Sequence, residues 1–180
     1  MGPITYSLCH KPVIGAVLWM SFLCTFPPLI EDTEISLERP GLILDQLFEA
    51  PVAKTYSLYL NFVFPSVDAR MKDEIVGDRY SSDCIEAKRY EDIPEKRRIG
   101  LGRPIPLRVV VRMSESKTVI LDVTFQSLCS AGHAGSRKGR IAGFVSLDTG
   151  AYTIEVFNEQ AQTGLNEIKT YIALVSGGHE

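Results

Sequence analysis

Histidine and closely spaced cysteine, on which many catalytic and metal sites depend, are scarce in this sequence. It has three histidines and four cysteines among 180 residues, and no Cys-x-x-Cys pair. Structural zinc sites favour such pairs. The candidate ligands form none; they are Cys84, Cys129, His133 and His179. The four-residue spacing of Cys129 and His133 does not by itself predict a nucleophile and its base. We therefore expect no catalytic residue, no metal site and no cofactor.

An excess of positive charge is also missing. The chain has 19 basic and 22 acidic side chains, which give a net charge of −3 with neutral histidines. Nucleic-acid-binding proteins normally present a basic surface to the phosphates, so we expect no nucleic-acid partner. The 45% hydrophobic and 23% charged content is typical of a globular protein, and the length suits one domain.

The longest uncharged apolar run is too short to span a bilayer. It covers residues 13–23 (VIGAVLWMSFL) and follows Lys11, whereas a spanning helix needs about 20 apolar residues. A positive residue before a short apolar run is typical of a secretory signal peptide. We predict a leader over residues 1–30, export to the periplasm or outer membrane, and no membrane span in the mature chain. A lipid anchor at Cys24 is disfavoured, because Leu23 stands where lipoprotein sites have Gly or Ala. An uncleaved anchor or a wrongly assigned start codon are the alternatives.

Alternation of apolar and polar residues is the main pattern in residues 31–180. It places apolar side chains on one face of several short segments: Tyr56, Leu58, Leu60, Phe62 and Phe64; Ile105, Leu107, Val109, Val111 and Met113; Val119, Leu121, Val123 and Phe125; Tyr152, Ile154 and Val156. Successive side chains of a strand point to opposite faces of a sheet. We therefore predict one all-β domain, an antiparallel β-sandwich of about eight strands, immunoglobulin-like or jelly-roll-like.

A charged insertion over residues 66–98 interrupts this pattern. Residues 68–98 contain 17 charged side chains in 31 positions. Val67, Met71 and Ile75 are spaced as one stripe of a short helix after Pro65-Ser66. We predict a short helical segment and a mostly solvated surface.

The second long connection, residues 127–139, contains the glycine-rich stretch GHAGSRKG and is predicted as a loop. In an exported chain, Cys84 and Cys129 could form a disulfide that joins this loop to the charged insertion; two plain thiols are the alternative. His133, Arg137, Lys138 and Arg140 would then contribute to one surface, and they are our candidates for contact with a protein partner. The alternative is a pair of solvated loops.

Several short motifs resemble a known bacterial family, the domain of unknown function 5625. They are residues 102–108 (GRPIPLR), residues 140–142 (RIA), residues 147–156 (LDTGAYTIEV), Pro40-Gly41 and residues 56–58 (YSL). The resemblance covers residues 35–175 and implies an exported or lipid-anchored β-sandwich domain. It brings no catalytic residue. The chain departs from the family pattern in having Thr149 where members tend to have Pro, and in lacking a proper lipoprotein cysteine.

These observations favour a non-enzymatic protein of the bacterial envelope that binds another protein, such as an immunity protein that neutralises a secreted toxin. The alternative is a carbohydrate-binding module or an envelope hydrolase. Sugar-binding surfaces present aromatic rings for stacking, and the predicted strands turn four rings outward: Tyr59, Phe144, Phe157 and Tyr171. Three of these on one sheet face would favour the carbohydrate alternative.

Overall fold

Antiparallel strands make up most of the computed structural model, which describes residues 27–79 and 89–176. Within these residues the nine strands are β1 (Ile30–Ile35), β2 (Gly41–Ala50), β3 (Lys54–Val63), β4 (Leu107–Met113), β5 (Val119–Phe125), β6 (Cys129–Ala134), β7 (Arg137–Leu147), β8 (Gly150–Asn158) and β9 (Lys169–Val175). Short helices lie between β3 and β4: α1 (Val67–Met71), a 3-10 helix (Tyr90–Asp92) and α2 (Glu95–Arg98).

The strands form two sheets that pack face to face. One sheet has five strands in the order β1-β9-β3-β7-β6, and the other has four in the order β2-β8-β4-β5. The alternating apolar residues of β3, β4 and β8 meet between the sheets and are buried, except Met113 at the end of β4, which is 44% exposed. The predicted antiparallel β-sandwich is therefore confirmed.

The sandwich begins slightly earlier than the predicted boundary at residue 31. Ile30 is 1% exposed and pairs with Leu174 of β9. The backbone N–H of Leu29 also donates to the Leu174 carbonyl at 2.7 Å. Ile30 thus belongs to the core of the domain. Residues 1–26 of the predicted leader lie outside the described residues.

The segment predicted as a loop over residues 127–139 is largely a β-hairpin. β6 and the start of β7 pair antiparallel, and Gly135-Ser136 forms the connection between them. Gly135 has a φ of +55°, which glycine adopts readily in a tight hairpin turn. The loop prediction was therefore wrong, because the glycines belong to a paired ribbon.

The charged insertion contains short helices, as predicted, but the predicted stripe does not face the core. Ser66 caps α1 by accepting a hydrogen bond from the Ala69 N–H at 3.0 Å. Val67 and Met71 are 45% and 69% exposed, and the helix ends at Met71. Ile75 lies beyond the helix and packs against the core by itself.

In the part of the chain that the structure describes, no helix is long and apolar enough to cross a membrane.

Candidate functional site

The four side chains predicted to contact a partner do not share one surface. His133 and Arg137 are exposed on the β6–β7 hairpin, whereas Lys138 is 2% exposed and Arg140 is 0% exposed. The register explains this, because Lys138 lies opposite Phe62 and Arg140 opposite Leu60, on the inward face of the sheet. The expectation that all four side chains are accessible was wrong for Lys138 and Arg140.

Lys138 holds the segment after α1 against the sheet. Its Nζ lies 2.8 Å from Asp73 Oδ2 and 3.0 Å from Asp78 Oδ1, and 5.6 Å from the centre of the Phe64 ring. The Asp73 carboxylate also accepts hydrogen bonds from the backbone N–H groups of Ile75 and Val76. A buried charge needs a partner of opposite sign and hydrogen bonds, and Lys138 and Asp73 supply these to each other.

Arg140 holds the segment before β4 in the same way. Its Nη1 donates to the Arg103 carbonyl at 2.8 Å, and its Nη2 donates to the Leu101 carbonyl at 2.7 Å. Arg103 in turn donates to Gln162 and Thr163 in the β8–β9 connection. The motifs at residues 102–108 and 140–142 are therefore brought together, and their contacts have a structural role.

The predicted Cys84–Cys129 disulfide lies outside the described residues, because Cys84 falls in residues 80–88. It stays a prediction.

The outer face of the four-stranded sheet carries charges that pair across strands, and exposed aliphatic side chains such as Leu47 and Val119 lie on the same sheet. Arg108 makes two hydrogen bonds to Asp122, both at 2.7 Å, and this bonding lowers the pKa of the Asp122 carboxyl. Arg112 pairs with Glu155. The Arg108 guanidinium lies 6.0 Å from the centre of the Phe157 ring. Phe157 therefore already has a cation beside its ring, and this face has the character of a solvated, self-paired surface.

The outer face of the five-stranded sheet is different, because it carries the other three aromatic candidates. Tyr59 lies on β3, and Phe144 and Tyr171 lie on the neighbouring strands β7 and β9. Phe144 is opposite Ser57, and Tyr171 is opposite Asn61, the residues two positions before and after Tyr59. The three half-buried rings thus form one diagonal row, which we call the aromatic row, with neighbouring Cα atoms about 7–8 Å apart.

A groove of about 540 Å³ lies beside the aromatic row. Its lining residues are Pro28, Glu31, Asp32, Tyr59, Asn61, Ala173 and Val175. Burial raises the pKa of Tyr59, and a side-chain hydrogen bond with Ser57 partly opposes that shift. An apolar ring with nearby carboxylate and amide groups can both stack on a flat ligand and bind its hydroxyl groups.

A second groove, of about 570 Å³, lies between α1 and the β8–β9 connection. Its aromatic ring is that of Phe64, which Lys138 already contacts. Asp73, also in its lining, is bonded to Lys138. We therefore place the candidate site on the aromatic row. Within the described residues, no group of three or more His, Cys, Asp or Glu side chains could hold a metal ion.

The alternating pattern of the sequence predicts each ring of the aromatic row separately but does not single out Asp32 and Asn61. Alternation predicts which rings point outward, but only strand order and register bring them together. No signal in the sequence marks Asp32, because exposed carboxylates are common throughout the chain.

Comparison with known proteins supports the fold. The family model for a domain of unknown function, DUF5625, matches residues 32–176, which confirms the resemblance seen in the sequence. The crystal structure of GEBA250068378 from Sulfurospirillum deleyianum is similar, with a TM-score of 0.59 and 16% identity. The match covers 85% of this chain and 100% of that one. At this identity the likeness shows the fold alone. No curated protein matches.

Proposed function

The chain belongs to the domain of unknown function 5625 family, and we propose that it is an exported, non-enzymatic binding module of the bacterial envelope. Its ligand is a glycan, and the binding surface is the outer face of the five-stranded sheet. Export rests on the apolar run at residues 13–23 behind Lys11.

The aromatic row is the observation that carries this proposal. Three of the four outward aromatic side chains lie on one sheet face and on three adjacent strands, the arrangement that favours carbohydrate binding over the alternatives. Tyr59 is central, because Phe144 and Tyr171 flank it diagonally. The flat, partly apolar faces of a sugar chain can lie across such a row, while the Asn61 amide, opposite Tyr171, offers a hydrogen-bonding group beside the rings.

The comparison of the two outer faces supports the same conclusion. The cations on the four-stranded sheet are already paired with Asp122 and Glu155. The exposed large apolar side chains on the strands of that sheet, among them Leu42, Leu47 and Val119, are aliphatic, whereas the aromatic row offers rings on which the flat faces of sugars can stack.

Binding to insoluble polysaccharides tests the proposal. The full chain is mixed with peptidoglycan sacculi, chitin or cellulose, and the protein left in solution is measured after sedimentation. We expect at least one polysaccharide to deplete the protein. Tyr59→Ala should weaken this binding about tenfold, since an aromatic contact contributes up to about 1.5 kcal/mol.

Phe157→Ala is the matched control, because it removes an outward aromatic ring from the other sheet. It should bind as the unaltered protein does. Equal losses in the two variants, or no binding to any of the polysaccharides, would contradict the proposal.

A protein partner, for example a toxin neutralised by this chain, is the second candidate. It is favoured by the exposed tip of the β6–β7 hairpin, where His133 and Arg137 remain accessible. Replacing both by Ala should weaken capture of such a partner from envelope extracts and leave polysaccharide binding unchanged. Failure of the double variant to alter capture would exclude the hairpin tip as the contact.

A further inference from the structure

The groove beside Tyr59 has an acidic wall supplied by β1. Glu31 and Asp32 both line the groove, although they are consecutive residues and would normally point to opposite faces of a strand. The pairing of β1 with β9 shifts register between Ile30 and Thr33. Such a bulge changes the direction of side chains. Here the bulge lies where two consecutive carboxylates line the same groove.

The Asp32 carboxylate is held in place at the groove. Its Oδ1 accepts a hydrogen bond from Asn61 Nδ2 at 2.6 Å, and its Oδ2 lies 3.6 Å from Arg137 Nη1. The Asp32 and Arg137 side chains are both substantially exposed, so this ion pair is weak. A cationic ligand group can therefore displace Arg137 at little cost.

The charge around the groove is negative. The ionisable groups of its lining, apart from the Tyr59 phenol, are the two carboxylates, and the described lining residues include no Lys or Arg. Glu34 continues the acidic strand and lies opposite Tyr171 of the aromatic row. A ligand that follows the row from Tyr59 to Tyr171 therefore passes three carboxylates. The cations nearby include Arg137 and Lys54, whose Nζ donates to the carbonyl of Ser176, the residue after Val175 of the lining.

We infer that the glycan bound here carries free, protonated amino groups, as unacetylated amino sugars do. This inference rests on the proposed function, because the aromatic row supplies the stacking surface and the carboxylates decide the charge of the ligand. The sugar ring lies on Tyr59, and its ammonium group binds Glu31 and Asp32. Uronic-acid glycans are repelled by the same carboxylates.

Calorimetric titration of the full chain tests the inference. Three probes of equal length are compared at a pH where sugar amines are protonated: glucosamine oligomers, N-acetylglucosamine oligomers and galacturonic acid oligomers. Glucosamine oligomers should bind most tightly, and their affinity should fall as salt is added. Glu31→Gln and Asp32→Asn should each weaken that binding about two- to fivefold and reduce its salt dependence.

Glu49→Gln, an exposed carboxylate of β2 in the other sheet, is the matched control and should leave the binding of all three probes unchanged. Circular dichroism of each variant confirms that it is folded.

The outcomes separate this inference from the proposed function. Acetylated oligomers could bind as well as glucosamine oligomers, and Tyr59→Ala could abolish the binding of both. In that case glycan binding stands and the amino-group preference is overturned. Unchanged glucosamine binding in both carboxylate variants overturns it too. If no probe binds, the amino-sugar inference fails and the proposed function loses its support.

Discussion

Single buried cations fix the segments that have no regular secondary structure. Lys138 and Arg140 lie two positions apart on β7 and point into the sandwich. Lys138 binds Asp73, which follows α1, and Arg140 binds the carbonyls of Leu101 and Arg103, which precede β4. At the residue scale, these two side chains connect the charged insertion and the segment between it and β4 to the five-stranded sheet.

Replacement of Lys138 by Met should therefore destabilise the protein strongly. The Asp73 carboxylate, whose side chain is 4% exposed, would stay buried without its cation. Breaking a buried ion pair by removing one partner costs about 3–5 kcal/mol. The free energy of unfolding in urea measures this loss.

Lys72→Met is the control for that experiment, because Lys72 is exposed on the same segment. Exposed substitutions usually change stability by less than about 0.5 kcal/mol. Similar stabilities of the two variants would show that Lys138 is not essential to the interior.

At the scale of elements, close backbone contact joins the charged insertion to the segment that follows it before β4. The Arg103 N–H donates to the Ile75 carbonyl at 2.8 Å, and the Asp78 N–H donates to the Gly100 carbonyl at 3.0 Å. Gly102 makes this approach possible, because a Cβ at that position would lie 2.5 Å from the Ile75 oxygen. Its φ of +73° also favours glycine.

We predict that Gly102→Ala is more damaging than Gly135→Ala. Both glycines have positive φ, but a Cβ at Gly135 would have no neighbour within 4 Å. The Gly135 variant should therefore lose about 1–2 kcal/mol of stability through backbone strain alone. The Gly102 variant should lose about 1–3 kcal/mol more through a steric clash. Thermal unfolding of the two variants compares them directly. Equal melting temperatures would argue against the close approach.

The elements that sequence reasoning predicted well are those whose alternation is uninterrupted. β3 and β8 have a buried apolar residue at every second position, so pattern alone predicts them. β6 was missed because its glycines and small residues carry no such alternation. Lys138 and Arg140 were predicted to be exposed because charged side chains usually are exposed. The hydrogen bonds and ion pairs that compensate their burial come from segments far away in the sequence. The grouping of the aromatic row depends on strand order, which alternation does not specify.

At the scale of the whole molecule, the first strand, β1, completes the core of the domain. Ile30 is buried in the core and β1 forms an edge of the five-stranded sheet beside β9. The groove and its acidic wall depend on the same strand. A chain that forms the binding site must therefore include β1.

Two truncations should show where the domain begins. A chain of residues 27–180 should unfold cooperatively, and a chain of residues 31–180 should be less stable by about 1.5–3 kcal/mol, the contribution expected from one buried Ile side chain. Chemical denaturation of both chains measures the difference. Equal stability would place the start of the core after Ile30.

Nuclear magnetic resonance mapping of glycan binding tests the central claim most directly. The isotopically labelled chain is titrated with glucosamine and N-acetylglucosamine tetrasaccharides, and the backbone amide shifts are followed. We predict that the shifts change along the aromatic row, at Tyr59, Phe144 and Tyr171, and stay constant at Phe157. Shift changes centred on Phe157 or on the β6–β7 hairpin, or no change with either sugar, would contradict the assignment of the binding surface to the outer face of the five-stranded sheet.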